Sequence, residues 1–210
     1  MRTDNTLILF TKAPQICRVK TRMYPDLTHR ECLYLHKKLN EHAVKIFKSN
    51  NKFRLIIYTT HLNRGRYHYP SGISIRKQAG LNLGSRMCNA IRQELKKAQR
   101  VVLIGSDCLT LNPDYIVRAF SKISKINDIV LGPTTDGGYV LVGGRKQNAF
   151  LFNNIPWGAS CVLDKTLATA QKHGREINCL EKVSDIDSIK DIHLLKKQNV
   201  LPEWANGLIS

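Results

Sequence analysis

Acidic side chains are scarce in this 210-residue chain: 16 Asp and Glu stand against 33 Lys and Arg, a formal charge of 33 − 16 = +17 at neutral pH. A charge of that sign attracts polyanions, meaning nucleotides, phosphorylated small molecules, nucleic acid or acidic lipid. The basic residues are also spread along the whole chain rather than gathered in a tail, which is equally the pattern of a solvated Lys/Arg-rich surface. Long apolar runs are missing too. Val101 to Ile104 falls far short of the ~18 residues that cross a bilayer, and Leu7 to Phe10 is too short for a signal-peptide core, so no membrane span and a cytoplasmic location are expected. With only 7 Pro and 13 Gly against 42% hydrophobic residues, collagen-like and disordered chains are excluded. A chain of this length fits one domain spanning 1–210, able to bury roughly 70% of its unfolded surface.

Several chemical signatures are absent as well. The six cysteines (Cys17, Cys32, Cys88, Cys108, Cys161 and Cys179) form no C-x-x-C pair and have no His at metal-ligand spacing, which argues against a zinc site or a redox dithiol. Neither G-x-x-x-x-G-K-[ST] nor G-x-G-x-x-G occurs, so a Walker-type phosphate cradle and a dinucleotide fingerprint are excluded.

What is present is an alternation of strand and helix patterns. Thr6–Thr11 reads as a buried strand that breaks into Lys12-Ala13-Pro14 and then the cationic stretch Arg18-Val19-Lys20-Thr21-Arg22. Thr28 and Glu31 have capping-box spacing, and the apolar positions after them predict a helix over about 29–48. Phe53–Thr60 reads as a strand and Ile73–Ile75 as a short one, followed by an amphipathic helix after Leu83-Gly84. Arg100–Ile104 is nearly all apolar, as expected of a central parallel strand buried on both faces. Asn112-Pro113 opens the next helix as cap and first residue. Asp128–Leu131 and Tyr139–Val142 flank the segment 132–138, and helices near 160–173 and 188–198 bracket a last strand around Ile177–Leu180. This order predicts an α/β fold with an open, mostly parallel sheet covered by helices on both faces, with ligands at the carboxyl ends of the strands. The part from Asp136 onward is a candidate for a semi-distinct acceptor half.

The polar residues at those strand ends carry the chemistry. Asp107 lies just past the most buried strand, where a carboxylate either faces a ligand or caps a helix. Asp136-Gly137-Gly138 is either a second acidic site or a tight hairpin turn. Asp185 and Asp187 share a face if the segment is extended, and two acids on one face repel unless a hard cation such as Mg²⁺ or Mn²⁺ lies between them; alternatively, one of them caps the helix near Ser188. Lys12, Arg18, Lys20 and Arg22 can neutralise a di- or triphosphate through side chains. The loop His61–Tyr69, with Arg64, Arg66, Tyr67 and His68, is either a solvated connection or a stacking platform for single-stranded nucleic acid.

Seven segments in order along nearly the whole chain extend this reading: K-A-P at Lys12–Pro14, V-K-T-R at Val19–Arg22, L-G-S-R-M at Leu83–Met87, G-S-D-C at Gly105–Cys108, L-G-P-T-T-D-G-G-Y at Leu131–Tyr139, P-W-G at Pro156–Gly158 and D-I-D-S-I-K-D at Asp185–Asp191. Together they resemble the glycosyltransferase-like family of radical-SAM/selenodomain-associated transferases. That family is a branch of the GT-A nucleotide-diphospho-sugar transferase superfamily, related to the molybdenum-cofactor and 2-phospholactate nucleotidyltransferases. The resemblance implies a three-layer α/β/α, Rossmann-like sandwich. It places the nucleotide phosphates on the first loop, at Lys12, Ala13, Pro14, Arg18, Lys20, Thr21 and Arg22. It assigns an Mg²⁺ or Mn²⁺ ion to Asp107 and Asp187, and puts Asp136, Gly137, Gly138 and Tyr139 on the acceptor side, with Asp107, Lys20 and Asp136 expected to carry catalysis.

Two departures stand out. Ile16 and Cys17 replace the Pro and Gly usual in the family loop, and the Cβ of Cys17 obstructs backbone approach to a phosphate; Leu109 replaces the Pro usual after D-C. The expected activity is a metal-dependent transfer from a nucleoside triphosphate or nucleotide-sugar to a small-molecule acceptor. The single acid after the central strand, where metal-using glycosyltransferases usually place D-x-D, favours the nucleotidyl type. The alternatives are a catalytically weakened binding module and a basic nucleic-acid-binding protein.

Overall fold

The computed structural model describes residues 4–62, 69, 71–126, 128–146 and 148–208. Seven strands form one continuous sheet: β1 (Asn5–Thr11), β2 (Arg54–Thr59), β3 (Ser74–Lys77), β4 (Arg100–Gly105), β5 (Ile129–Pro133), β6 (Tyr139–Gly144) and β7 (Ile177–Cys179). Their order is β3-β2-β1-β4-β6-β5-β7. β1 runs parallel to β2 and β4, with Leu7 opposite both Leu55 and Val102. β6 is antiparallel to both of its neighbours. Because β6 is inserted between β4 and β5, the chain beyond Asp136 is woven into the same sheet and is not a separate half.

Strand alternation sends successive side chains to opposite faces. Leu7, Leu9, Val102 and Ile104 pack on one face with Val44 and Phe47 of α1 (His29–Phe47) and with Ile116 and Phe120 of α3 (Pro113–Ser121). Ile8, Phe10, Val101 and Leu103 pack on the other face with Met87 and Ile91 of α2 (Leu83–Leu95), and Ala170 of α4 (Val162–Lys172) joins the same cluster. Val101, Val102 and Ile104 are fully buried, as the nearly all-apolar run predicts. The result is the expected three-layer α/β/α sandwich. A third cluster joins Leu35 and Leu39 of α1 to Ile192 and Leu195 of α5 (Ile189–Lys197), with Ile186 at 0% exposure between them. This cluster anchors the C-terminal segment beside the ends of β1 and β4. No helix among the described residues is long and apolar enough to cross a membrane.

The caps follow the local chemistry. Thr28 accepts from the Glu31 amide at 3.3 Å while Glu31 accepts from the Thr28 amide at 2.7 Å, closing the first turn of α1 as the spacing predicts. Asn112 accepts from the Tyr115 amide with Pro113 at the first helical position of α3. Asn82 caps α2 through Ser85. A short helix, α6 (Glu203–Asn206), ends the fold.

Candidate active site

The strands β1 and β4 deliver Lys12 and Asp107 to the same end of the sheet. The 3₁₀ turn Thr21–Met23 follows Lys20, which is held in the left-handed region at φ 50°. Around these residues lies a cleft of about 420 Å³ whose lining includes Lys12, Lys20, Arg22, Asp107, Asp185 and Asp187. This is the carboxyl-end position at which open α/β sheets bind ligands.

Lys20 carries most of the local order. Its side chain is only 4% exposed, its Nζ lies 3.0 Å from Asp107 Oδ2, and it also donates to the Ile186 carbonyl. The other oxygen of Asp107 accepts from the Ser106 hydroxyl at 3.2 Å. Burial acts to raise the Asp107 pKa, but the charge and hydrogen bond of Lys20, with smaller contributions from His36 and Ser106, hold it below its ordinary value. Ile186 also donates its amide to the Asp107 carbonyl at 2.9 Å. The loop after β1, the end of β4 and the C-terminal segment are thus tied together through one lysine.

The acids divide into two sets. Asp107 lies with Lys20, whereas Asp136, Asp185 and Asp187 each place a carboxylate oxygen within 4.8 Å of the others. Burial, together with the charges of Asp136 and Asp187, pushes Asp185 up from 3.8 to about 6. Arg22 reaches Asp187 Oδ2 at 2.5 Å through Nη1. Asp187 does not cap α5: Ser188 is the cap, and the Asp191 carboxylate accepts from the amides of both Asp187 and Ser188. Neither side chain of the D-I-D pair is therefore spent on the helix cap. Asp107, expected to share an ion with Asp187, accepts from Lys20 and Ser106, and the carboxylates grouped with Asp187 are Asp136 and Asp185.

Asp136 sits in the turn between β5 and β6, so the hairpin and the acidic site are the same object. Its Oδ1 accepts from the Thr134 hydroxyl and from the Gly138 amide, an Asx-type arrangement that fixes the carboxylate. Gly137 has φ +88°, and a Cβ there would lie 1.9 Å from the Ser160 carbonyl oxygen. Its own carbonyl accepts from the Leu163 amide at 2.9 Å. Behind the turn, Trp157 packs edge-on against Tyr139 with ring centroids 6.1 Å apart, so the P-W-G segment supports the wall from which Tyr139 lines the cleft.

The first-loop residues fall in two places. Lys12, Lys20, Thr21 and Arg22 line the cleft, whereas Ala13 and Arg18, together with Lys12, line an adjoining cavity of about 740 Å³. Pro14 lines neither. Cys17 adopts φ 61°, a left-handed conformation that glycine takes without a steric penalty. Arg64, Arg66, Tyr67 and His68 of the basic aromatic loop lie outside the described residues; His61 lines the second cavity, and the Tyr69 hydroxyl lies 3.5 Å from Thr59 Oγ1.

Sequence reasoning did not single out Gln78, Arg86 or His36, all of which line the cleft. Gln78 spends its amide donor on the carbonyls of Thr11 and Tyr58, at 2.8 and 3.1 Å, locking the ends of β1 and β2. Arg86 was legible only as part of L-G-S-R-M; its Nε donates to the Gly80 carbonyl at 3.0 Å. His36 reads as a helix-interior core residue. Its Nε2 lies 2.9 Å from the Lys12 carbonyl and 3.2 Å from Asn40 Nδ2; burial holds the imidazole below its ordinary pKa.

With this geometry in place, comparison with known proteins identifies the family. Residues 43–159 match the model of DUF2064, described as an uncharacterized protein conserved in bacteria. The chain belongs to this family. No protein of curated function matches it in sequence. Among solved structures it is similar to a candidate nucleotide-diphospho-sugar transferase from Desulfovibrio desulfuricans G20, with TM-score 0.86 and 24% identity over 97% of this chain and 91% of that one. It is also similar to a nucleotidyl transferase from Methanothermobacter thermautotrophicus, with TM-score 0.58 and 14% identity over 93% and 97% of the two chains. A third is a CMP:2-keto-3-deoxy-manno-octonic acid synthetase complexed with CTP, with TM-score 0.53 and 8% identity over 92% and 99%. At these identities the similarity establishes the fold, that of nucleotide-diphospho-sugar transferase structures, for this DUF2064 protein.

Proposed function

We infer that this protein is a metal-dependent transferase that takes its group from a nucleoside triphosphate or nucleotide-sugar, with the nucleotidyl type favoured. The observation that carries the reading is a cationic loop facing a carboxylate cluster across one cleft at the carboxyl ends of β1 and β4. The solved structures of similar fold include nucleotidyl transferases, one of them complexed with CTP, and the seven ordered motifs support the radical-SAM/selenodomain-associated branch.

The residues fit a hard divalent ion. Three carboxylates within 4.8 Å, one of them driven up to about 6 by burial and its acidic neighbours, are a set that Mg²⁺ or Mn²⁺ relieves, with donor phosphates completing the coordination. Asp136, Asp185 and Asp187 would hold it, and when bound it would neutralise charge developing on the transferring phosphoryl group. Asp107 serves the chain differently. It fixes Lys20 so that the ammonium faces the donor phosphates, while Lys12, Arg18 and Arg22 add mobile or forked positive charge. His36 and Gln78 hold the backbone from which that loop starts. Asp136, Gly137, Gly138 and Tyr139 form the acceptor wall.

In the nucleotidyl reaction an acceptor phosphate oxygen attacks the α-phosphorus. The bond from that phosphorus to the bridging oxygen breaks, and pyrophosphate leaves with the electron pair. The protein contributes position and electrostatic stabilisation and forms no covalent bond to the substrate.

Thermal unfolding against nucleoside triphosphates and nucleotide-sugars, with and without Mg²⁺ or Mn²⁺, tests the reading. A ligand at 100 times its Kd stabilises the native state by about 2.7 kcal/mol. A metal-dependent rise with one nucleotide identifies the donor, after which pyrophosphate among the products supports nucleotidyl transfer and nucleoside diphosphate alone overturns it in favour of glycosyl transfer. A flat panel would favour the binding-module reading, in which Cys17 has cost the loop its grip.

A further inference from the structure

The wall of the second cavity contains no carboxylate. Residues 5–25 contain no Asp or Glu and four Lys or Arg; residues 42–93 contain no Asp or Glu and ten. Every residue that lines the second cavity, from Lys12, Ala13, Gln15 and Arg18 to Thr60, His61, Lys77 and Arg86, comes from one of these two stretches. Lys20, Arg22, Arg54 and Arg76 of these stretches pair with Asp107, Asp187 and Glu94, whereas the cavity wall itself carries Lys12, Arg18, Lys77 and Arg86 and no Asp or Glu.

The rim of the same cavity is apolar. Ile16 follows the lining residue Gln15, Leu62 follows His61, and Leu81 follows Gly80, so each has its Cα about 3.8 Å from that of a residue in the cavity wall. All three point to solvent: Ile16 is 51% exposed, Leu62 54% and Leu81 98%. Single exposed leucines are ordinary on a protein surface. Three aliphatic side chains around one cationic mouth are a different pattern, the combination by which peripheral proteins insert at a headgroup boundary while basic residues meet acidic lipid.

We propose that this mouth is a docking face for an anionic lipid bilayer, with Ile16, Leu62 and Leu81 entering the interfacial region and Lys12, Arg18, Lys77 and Arg86 of the cavity wall facing the headgroups. This inference stands apart from the transferase reading, because vesicle binding requires neither donor nor acceptor.

The test is sedimentation of the full chain with phosphatidylcholine vesicles and with vesicles that also contain phosphatidylglycerol, at about 0.1 M salt, where charges still act over about 10 Å. Binding is expected only to the acidic vesicles and should fall as salt rises. Joint replacement Ile16→Asp and Leu81→Asp should weaken that binding by about tenfold or more with little change in the thermal midpoint, since Leu81 is 98% exposed and Ile16 51%. Leu194→Asp, at an exposed position on α5, should leave binding intact. Absence of binding to acidic vesicles, or equal binding by the Ile16/Leu81 variant, overturns the proposal. A single-stranded oligonucleotide that binds parent and variant alike, with no vesicle binding, would overturn it in favour of nucleic acid as the occupant of this mouth.

Discussion

Lys20 Nζ lies 3.0 Å from Asp107 Oδ2 and also donates to the carbonyl of Ile186, 166 residues further along the chain. A side chain 4% exposed in this position is both a structural bolt and a charge aimed into the cleft. Lys20→Met removes the cation and leaves a carboxylate and a carbonyl short of a partner. Because Asp107 is 38% exposed, the cost is less than the full value for a buried pair, about 2 kcal/mol. In urea unfolding, a K20M/D107N double variant should recover part of that loss, which would measure the coupling directly.

Asp185 makes stability depend on pH in the direction opposite to an ordinary ion-paired acid. Its carboxyl titrates near 6 in the fold against 3.8 in the free residue, through burial and the charges of Asp136 and Asp187. The folded form therefore holds the proton more tightly, and stability falls as pH rises from about 4 to about 6 and stays lowered above that. In the metal-free protein, Asp185→Asn should raise stability at pH 7 by about 2 kcal/mol and change little near pH 4. Thermal midpoints at the two pH values with a chelator present provide the comparison.

Cys17 occupies backbone space suited to glycine. With φ at 61° its Cβ crowds the following carbonyl, a cost of roughly 1–2 kcal/mol that glycine avoids, offset in part by the extra freedom glycine has when unfolded. Cys17→Gly is expected to stabilise the protein by about 0.5 kcal/mol, and Cys17→Val to destabilise it by more than that. If the loop binds phosphate through its backbone, the Gly variant should also bind the donor more tightly, which calorimetric titration would show.

Gly137 is the hinge of the acidic turn. A Cβ there would fall 1.9 Å from the Ser160 carbonyl at a backbone φ of +88°, and neither obstacle can be relieved by a side-chain rotation. Gly137→Ala should cost more than about 2 kcal/mol. It should also move Asp136 away from Asp185 and Asp187, reducing metal-dependent stabilisation beyond what the loss of stability explains. Manganese titration followed by the thermal midpoint separates the two effects.

Much of the frame is written locally. The apolar runs of β1 and β4, the Thr28–Glu31 box and the Asn112-Pro113 start each depend on neighbours within four residues, so composition and spacing reveal them. The direction of β6 does not, because an antiparallel strand and a parallel strand buried on both faces carry the same side chains. The site was legible in its residue types: Lys20, Arg22, Asp107, Asp136 and Asp187 all reach one region. Their pairing was not, since Arg22 meets Asp187 across 165 positions. The freedom of Asp187 turned on a helix cap that Ser188 and Asp191 make between them. His36 gave no signal at all, being one more residue on the buried stripe of α1.

The insertion of β6 between β4 and β5 also sets the order in which the chain can close. The outer edge of β4 has its hydrogen-bonding groups ready once Gly105 has left the ribosome, yet its partner does not exist until Tyr139–Gly144 has been made. Through that interval β4 offers an unpaired apolar edge, the kind that recruits strands from other molecules. β5 cannot shield it, because its place in the sheet is one position further out. The hairpin around Asp136 therefore does more than position a carboxylate: it brings in the strand that covers the edge of β4.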